Sequence, residues 1–405
     1  MSFEYFMGSS VITKVLFAGA IIFVSGDLLA TLFTIIYQRF WYYKVIRPKY
    51  EKKFSPACSL IVPCKGISKD LKRNLKAFLE LDYPDYETVF VVESETDEAV
   101  SVIRDVIANK MNAKLAVAGI SVSCAQKNKN LLEAIKKTNG AEVYVFADSD
   151  IGPDRNWLYE LILPLADENI TVTSGFRWLH IKKGNAGELT HSYVNIFMYI
   201  LFCVACYFGG VGLWGGSMAI RRKDFEELGV AKKWSKTAVD DMSLSQLVLK
   251  NSKKAIVVPP CITHTDDLLQ TVRSTITWFE RQIMYLKAYQ KAVWLFLALP
   301  AALLVLILLT LLPYSIIVSV LGKQTFLNAG GGAALVLYFG ELLTVSLYPF
   351  LGKMRRFPKF LILQPMMRYA HIISYLKTFL TNTITWAGIK YRINFSGEVA
   401  GIERP

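Results

Sequence analysis

Asp148-Ser149-Asp150 places two carboxylates one residue apart, directly after the apolar run 143–146 and just ahead of Gly152 and Pro153. Paired Asp oxygens suit a hard divalent cation, Mg²⁺ or Mn²⁺, of the kind that holds a diphosphate. The same residue types also build plain polar turns, so the pair gains meaning only from what surrounds it. A second acidic pair, Asp240-Asp241, stands where a helix should open. A helix N-cap explains one of these two, and the other is available as a general base if the fold brings it opposite the metal. His264 follows the strand-like run 255–258 and is a further metal or phosphate candidate.

These residues need a scaffold, and the middle of the chain supplies its pattern. Residues 58–63, 87–92, 115–122 and 142–147 read as strands, and 69–81, 98–110 and 129–138 as helices between them. Strands alternating with helices imply a mostly parallel α/β sheet with right-handed crossovers. Lys65, the acidic run from Glu93 to Asp97, and Asp148 to Asp150 each follow a strand. In an open α/β sheet those ends converge on one ligand-binding edge. The first loop is not G-x-G-x-x-G and no GxxxxGK[ST] occurs, which excludes dinucleotide-binding and P-loop readings.

The ends of the chain are different. The 405 residues are 53% hydrophobic, with a mean hydropathy of +0.33. Residues 11–37 form an apolar stretch long enough to cross a bilayer and carry no small-residue cleavage site, as expected of a retained anchor. Arg39, Lys44, Arg47, Lys49, Lys52 and Lys53 follow it, which marks the cytosolic side. Residues 293–321 and 333–351 are two more spans, and Lys353, Arg355, Arg356 and Lys359 after them agree with a return to the cytosol. Residues 360–386 carry Arg368, His371 and Lys377 and read as an interfacial or re-entrant piece, with a third full span as the alternative. The net charge of +13 is explained by basic residues beside anionic headgroups rather than by nucleic acid. The six cysteines are scattered. Cys203 and Cys206 are spaced CxxC but have no partner pair, which argues against a zinc site. Residues 195–216 are apolar and Gly-rich. A span there would put Asp240 and Asp241 across the membrane from Asp148, so the segment reads as an interfacial piece that meets the acceptor. The expected organisation is an anchor with a basic flank (1–53), an α/β domain (54–290) and C-terminal membrane and interfacial helices (291–405).

The stretch from Pro63 to Ala99 carries a Pro-x-Lys-Gly turn, an Asn-Leu-x-x-Phe helix and a Leu-Asp-Tyr-Pro-x-Tyr-Glu run. With GGSMAIRRKDFEELG and the terminal TITWAGIKYRI, it resembles membrane glycosyltransferases of the ceramide glucosyltransferase type, within the inverting family-2/21 group of GT-A fold. The resemblance implies a Rossmann-like GT-A domain facing the cytosol of a multi-pass integral membrane protein. It implies a UDP-sugar donor, a Mn²⁺ or Mg²⁺ ion, and a membrane lipid acceptor, ceramide-like by default. Hopanoid, sterol and diacylglycerol acceptors remain open, and a processive polysaccharide synthase is the alternative within the fold. By the same resemblance Asp97 and Glu93 lie near the nucleotide, Lys65 and Lys127 assist the donor, and Asp148 and Asp150 serve metal and diphosphate. Asp241 is the base for the acceptor hydroxyl. The family's (Gln/Arg)-x-x-Arg-Trp motif is altered: if Trp278 aligns with its Trp, Thr277 and Ser274 replace the Arg and the first residue. In another register Arg281 takes the first position, followed by Met284 and Tyr285. Arg273 or Arg281 then supplies the missing charge.

Overall fold

The computed structural model describes residues 11–405 except 51–53, 180, 266–268, 270, 323–328 and 355–356. Four of the expected flanking cations, Lys52, Lys53, Arg355 and Arg356, therefore lie outside the described residues. Seven strands form the main sheet: β1 (Cys58–Pro63), β2 (Tyr86–Val92), β3 (Ala113–Val117), β4 (Val143–Ala147), β5 (Ile170–Leu179), β6 (Ser217–Arg221) and β7 (Lys254–Thr265). Their spatial order is β3-β2-β1-β4-β6-β5-β7. The runs CSLIVP and VYVFA are almost wholly buried, as strands covered on both faces must be. Successive residues alternate between two cores: Leu60, Val62 and Val145 join one, and Ile61, Tyr144 and Phe146 the other.

Strands β3, β2, β1 and β4 are mutually parallel, so their C-terminal ends share an edge. Strand β6 runs antiparallel to β4 and pairs Ser217 with Ala147. This reversal brings Gly215 and Gly216 to the same edge as Asp148. Three of the differences from the expected bounds bear on the site. The third strand stops at Val117, and Gly119 just beyond it takes a left-handed φ of +74°. The next helix begins at Gln126, which moves Lys127 from a loop into the first helical turn. Strand β7 continues through Pro259 and Pro260 to Thr265, with a register shift against β5. An edge strand with a bulge tolerates proline.

Among the described residues four helices are long and apolar enough to cross a membrane: Lys14–Tyr50, Ala186–Tyr207, Lys291–Val320 and Gly331–Phe350. The second is unlike the others. About 67% of its apolar window is buried inside the protein, against 17% for Lys14–Tyr50 and Lys291–Val320. It starts nine residues earlier than the apolar run suggests because Asn185 caps it, accepting from the Glu188 amide at 2.9 Å. The Glu188 carboxylate in turn accepts from the amides of Lys182, Lys183 and Gly184. The first of these helices is tied to the sheet by Tyr37, whose hydroxyl donates to the Val257 carbonyl at 2.6 Å, and to the C-terminal helices by Gln38, which donates to the Leu351 carbonyl. The Phe357–Lys377 helix packs beside these helices.

Among these helices Arg368 pairs with Asp27 at 2.6 Å and with Glu341, which also accepts from the Tyr193 hydroxyl. Arg368 and Glu341 are buried. Removing one partner from such a set leaves uncompensated buried charge, at a cost of about 3–5 kcal/mol. Arg368→Leu is therefore expected to lower the thermal unfolding midpoint in detergent by several degrees, and Arg368→Leu with Asp27→Leu and Glu341→Leu to recover most of it. An unchanged midpoint in the single variant would show that the cluster holds nothing together.

Candidate active site

Two of the carboxylates singled out in the sequence, Asp148 and Asp240, meet around one lysine. Lys127 Nζ lies 2.8 Å from Asp148 Oδ1 and 3.1 Å from Asp240 Oδ2, and donates to the Gly215 carbonyl at 3.2 Å. Burial disfavours its charge, but Asp148 and Asp240 outweigh that and raise its pKa above the ordinary lysine value. Lys127 thus joins the end of β4 to the start of the Asp240–Lys250 helix. The Gly215-Gly216 ribbon makes the approach possible. A Cβ on Gly215 would stand 2.4 Å from Asp240 Oδ2, and one on Gly216 would stand 2.7 Å from Asp148 Oδ2.

Asp240 and Asp241 have separate jobs. Val239, not an Asp, is the N-cap residue and makes no side-chain cap, so the N-cap explanation for one of the pair is set aside. Asp240 is buried against Lys127. Asp241 is only partly buried. Its Oδ2 accepts from the Gly215 amide at 2.8 Å, while Oδ1 has no hydrogen-bond partner among the described residues. Burial and the neighbouring Asp240 push the Asp241 carboxyl up to about 7, against the pull of Lys127 and the Gly215 amide. A carboxylate titrating there, with one oxygen that no hydrogen bond occupies, is suited to accept a proton at neutral pH.

Asp150 follows in the turn after β4. Asn74, from the Leu71–Phe78 helix, fixes that turn by donating to the Ser149 carbonyl at 3.2 Å. At the end of β2, Asp97 Oδ1 accepts from the amides of Gly66 and Ala99, both at 2.9 Å. It ties the loop after β1 to the Ala99–Ile107 helix. Glu93 stands 3.9 Å from Lys65 and pairs with Arg404. His264 is exposed near the end of β7, three strands from β4. No group of three His, Cys, Asp or Glu side chains able to hold a metal occurs among the described residues.

The sequence profile of glycosyl transferase family 21 matches residues 27–399. The chain belongs to glycosyl transferase family 21. This bears out the resemblance read from the motifs. Ceramide glucosyltransferase 1 of Caenorhabditis elegans is 22% identical over 249 residues, covering 60% of this chain and 53% of that protein. Ceramide glucosyltransferase 3 of the same organism is 30% identical over 96 residues, covering 23% of this chain and 21% of that protein. The chain thus spans about half the length of the first of these relatives and less of the second. Among solved structures, the mannosyltransferase PcManGT of Pyrobaculum calidifontis, in complex with GDP-Man and Mn²⁺, superposes with a TM-score of 0.50 at 17% identity. That match covers 90% of this chain and 99% of that one, and it shows a shared fold, the GT-A type expected.

Where this family 21 chain departs from the (Gln/Arg)-x-x-Arg-Trp pattern, the helix Val272–Tyr289 shows what its residues do instead. Ser274 forms a capping box with Thr271, so it starts a helix rather than meeting a substrate. Arg273 is exposed on the first turn. The Trp278 ring lies 5.5 Å from the Arg177 guanidinium and 4.5 Å from the His191 ring. Arg177, on β5, also lies 5.9 Å from the Trp214 ring. A guanidinium thus sits beside Trp278, but it comes from β5 and not from the same helix. Arg281 is partly buried with its Nε unpaired among the described residues. It acts electrostatically on Tyr285, as do Asp241, Asp240 and Lys127. Sequence reasoning missed Arg177 and Arg404. Phe-Arg-Trp inside an apolar strand was the only signal for the first, and Arg404 had none.

Proposed function

We propose that this chain transfers a sugar from a UDP-sugar to the hydroxyl of a membrane lipid, ceramide-like, with inversion at the anomeric carbon. The observation that carries the reading is the single buried Lys127 binding Asp148 to Asp240 while Asp241 beside them keeps one oxygen without a hydrogen-bond partner among the described residues. One side of that cluster suits a charged leaving group and the other a reacting hydroxyl.

Asp148 and Asp150 are the residues that would hold a divalent cation. They offer hard oxygens at a strand end, and Gly216 leaves Asp148 uncrowded. Such an ion, when bound, supplies positive charge to the departing diphosphate. Lys127 keeps Asp148 in place and adds its own charge nearby. Asp97 holds together the two loops that flank the nucleoside, and Lys65 and Glu93 line them. Asp241 takes the proton as the acceptor oxygen attacks C1. The C1–O bond to the diphosphate breaks as the new C1–O bond forms, in a single displacement. Arg281 stands on the acceptor side and steadies charge there.

The acceptor comes from the bilayer. Basic residues Arg39, Lys44, Arg47 and Lys49 follow the first span, which supports a catalytic domain on the cytosolic face. The Ala186–Tyr207 helix leads from the membrane helices into Trp214, Gly215 and Gly216, and it is the natural path for a lipid to reach Asp241. Binding of radiolabelled UDP-glucose to the detergent-solubilised full chain is expected to require Mn²⁺ or Mg²⁺. It should weaken at least tenfold in Asp148→Asn and Asp150→Asn. Equal binding in EDTA, or in both variants, would remove the metal from the account.

A further inference from the structure

The terminal motif TITWAGIKYRI folds into something the membrane reading of this end does not provide. Strands β8 (Thr383–Trp386), β9 (Ile389–Ile393) and β10 (Val399–Glu403) form a separate antiparallel sheet in the order β10-β9-β8. Residues 383–403 thus form a small sheet and are not part of the interfacial helices expected across 291–405. Ile384, Ile389, Tyr391 and Ile393 pack on Ala125, Val239 and Met242, which flank the turns carrying Lys127 and Asp241.

This sheet reaches over the donor side of the site at three points. The Trp386 ring lies 5.6 Å from Lys127 Nζ. The Ala387 carbonyl accepts from Lys65 Nζ at 3.4 Å. Arg404, just past β10, pairs with Glu93 and donates to Gln126 Oε1 at 2.6 Å. The Tyr391 hydroxyl accepts from the Gln126 amide, which fixes the sheet to the helix that begins there. At the tip of the hairpin, Ala387 has φ of +48° and Gly388 of +82°. A two-residue turn of this kind favours Asn-Gly, and an alanine held in the left-handed region is strained. The tip is therefore held in its pose by its surroundings rather than by its own preference.

We propose that Arg404 is a nucleoside-contacting residue of the donor site and that the C-terminal sheet is the wall that presents it. The placement follows from the sheet. Glu93 directly follows β2, two strands from Asp148, which directly follows β4, or about 10 Å at one strand spacing each. With the diphosphate at Asp148, that separation puts Arg404 and Glu93 at the nucleoside. A guanidinium and a carboxylate side by side offer donors and an acceptor to the hydrogen-bonding groups of a base or ribose. A nucleotide entering there draws part of Arg404's bonding away from Glu93. This inference rests on the donor-site assignment above, and the experiment separates the two.

Titration calorimetry with UDP, GDP and inorganic diphosphate, each with Mn²⁺, is run on the full chain in detergent and on Arg404→Gln and Arg404→Lys. Loss of a charged hydrogen-bond donor predicts roughly ten- to hundredfold weaker UDP binding in Arg404→Gln. Discrimination between UDP and GDP should narrow, and inorganic diphosphate should bind unchanged. Arg404→Lys should recover little, because lysine cannot reproduce the guanidinium fork. Thermal unfolding of both variants checks that the fold is kept. Unchanged UDP affinity in Arg404→Gln overturns the proposal while leaving the donor site standing. An equal loss for inorganic diphosphate also overturns it, by placing Arg404 at the phosphates. Failure of the unaltered chain to bind any of the three would instead bring down the donor-site reading itself.

Discussion

Asp241→Asn is expected to lower the turnover number for sugar transfer by roughly 10²- to 10⁴-fold, with little change in donor affinity. The side chain keeps its shape and the Gly215 amide keeps an acceptor, so the loss is that of a proton acceptor and not of a fold. The pH profile provides an independent check. Burial and Asp240 push the Asp241 carboxyl up to about 7, and a base acts only when ionised. Transfer should therefore be level above that pH and fall about tenfold per unit below it. A carboxylate with an ordinary pKa near 4 would leave the rate flat down to about pH 5. Rates measured from pH 5 to 9 decide between the two. A profile flat to pH 5, or an Asp241→Asn variant that retains full turnover, would move the base elsewhere.

Lys127→Met should be the most damaging substitution for stability in the site. Lys127 is about 9% exposed and pairs with both Asp148 and Asp240. Without it, Asp148, Asp240 and Asp241 crowd together with no cation between them, at a cost of about 3–5 kcal/mol. Adding Asp240→Asn removes one of the stranded charges and should restore part of the loss, since residues in one network are not additive. Thermal unfolding of the two single variants and the double variant measures that coupling. Purely additive effects would mean that Lys127 and Asp240 do not act as a unit. Transfer activity should stay low in the double variant, because Asp148 has still lost the group that holds it.

Much of this arrangement was legible in the residues. The strands β1, β2 and β4 are short apolar runs with polar stops, and a parallel sheet collects such stops along one edge. Lys65, Glu93, Asp97 and Asp148 all follow such strands and so share that edge. Asp241 and Lys127 were legible through resemblance, since their meeting depends on the antiparallel β6, whose direction no local pattern reveals. His264 illustrates the limit: a run ending in Pro259-Pro260 looks finished, yet an edge strand with a bulge carries it on to Thr265. The Ala186–Tyr207 helix was half-visible. Its apolar C-terminal half stood out, but Glu188, His191 and Asn195 in its first turns are buried by tertiary contacts, which a hydropathy pattern cannot show. Arg177 and Arg404 were hidden for the same reason, because each reaches its partners across strands distant in sequence.

The measurement that bears most directly on the central claim is transfer of labelled sugar by the purified full chain in lipid-containing detergent micelles. The assay is supplied with UDP-glucose, UDP-galactose or UDP-N-acetylglucosamine and a panel of ceramide, sterol and diacylglycerol acceptors. The account predicts a metal-dependent lipid glycoside of inverted anomeric configuration, made from one donor and lost in Asp241→Asn. A folded protein that binds donor but glycosylates no lipid, or that makes a product of retained configuration, would contradict it.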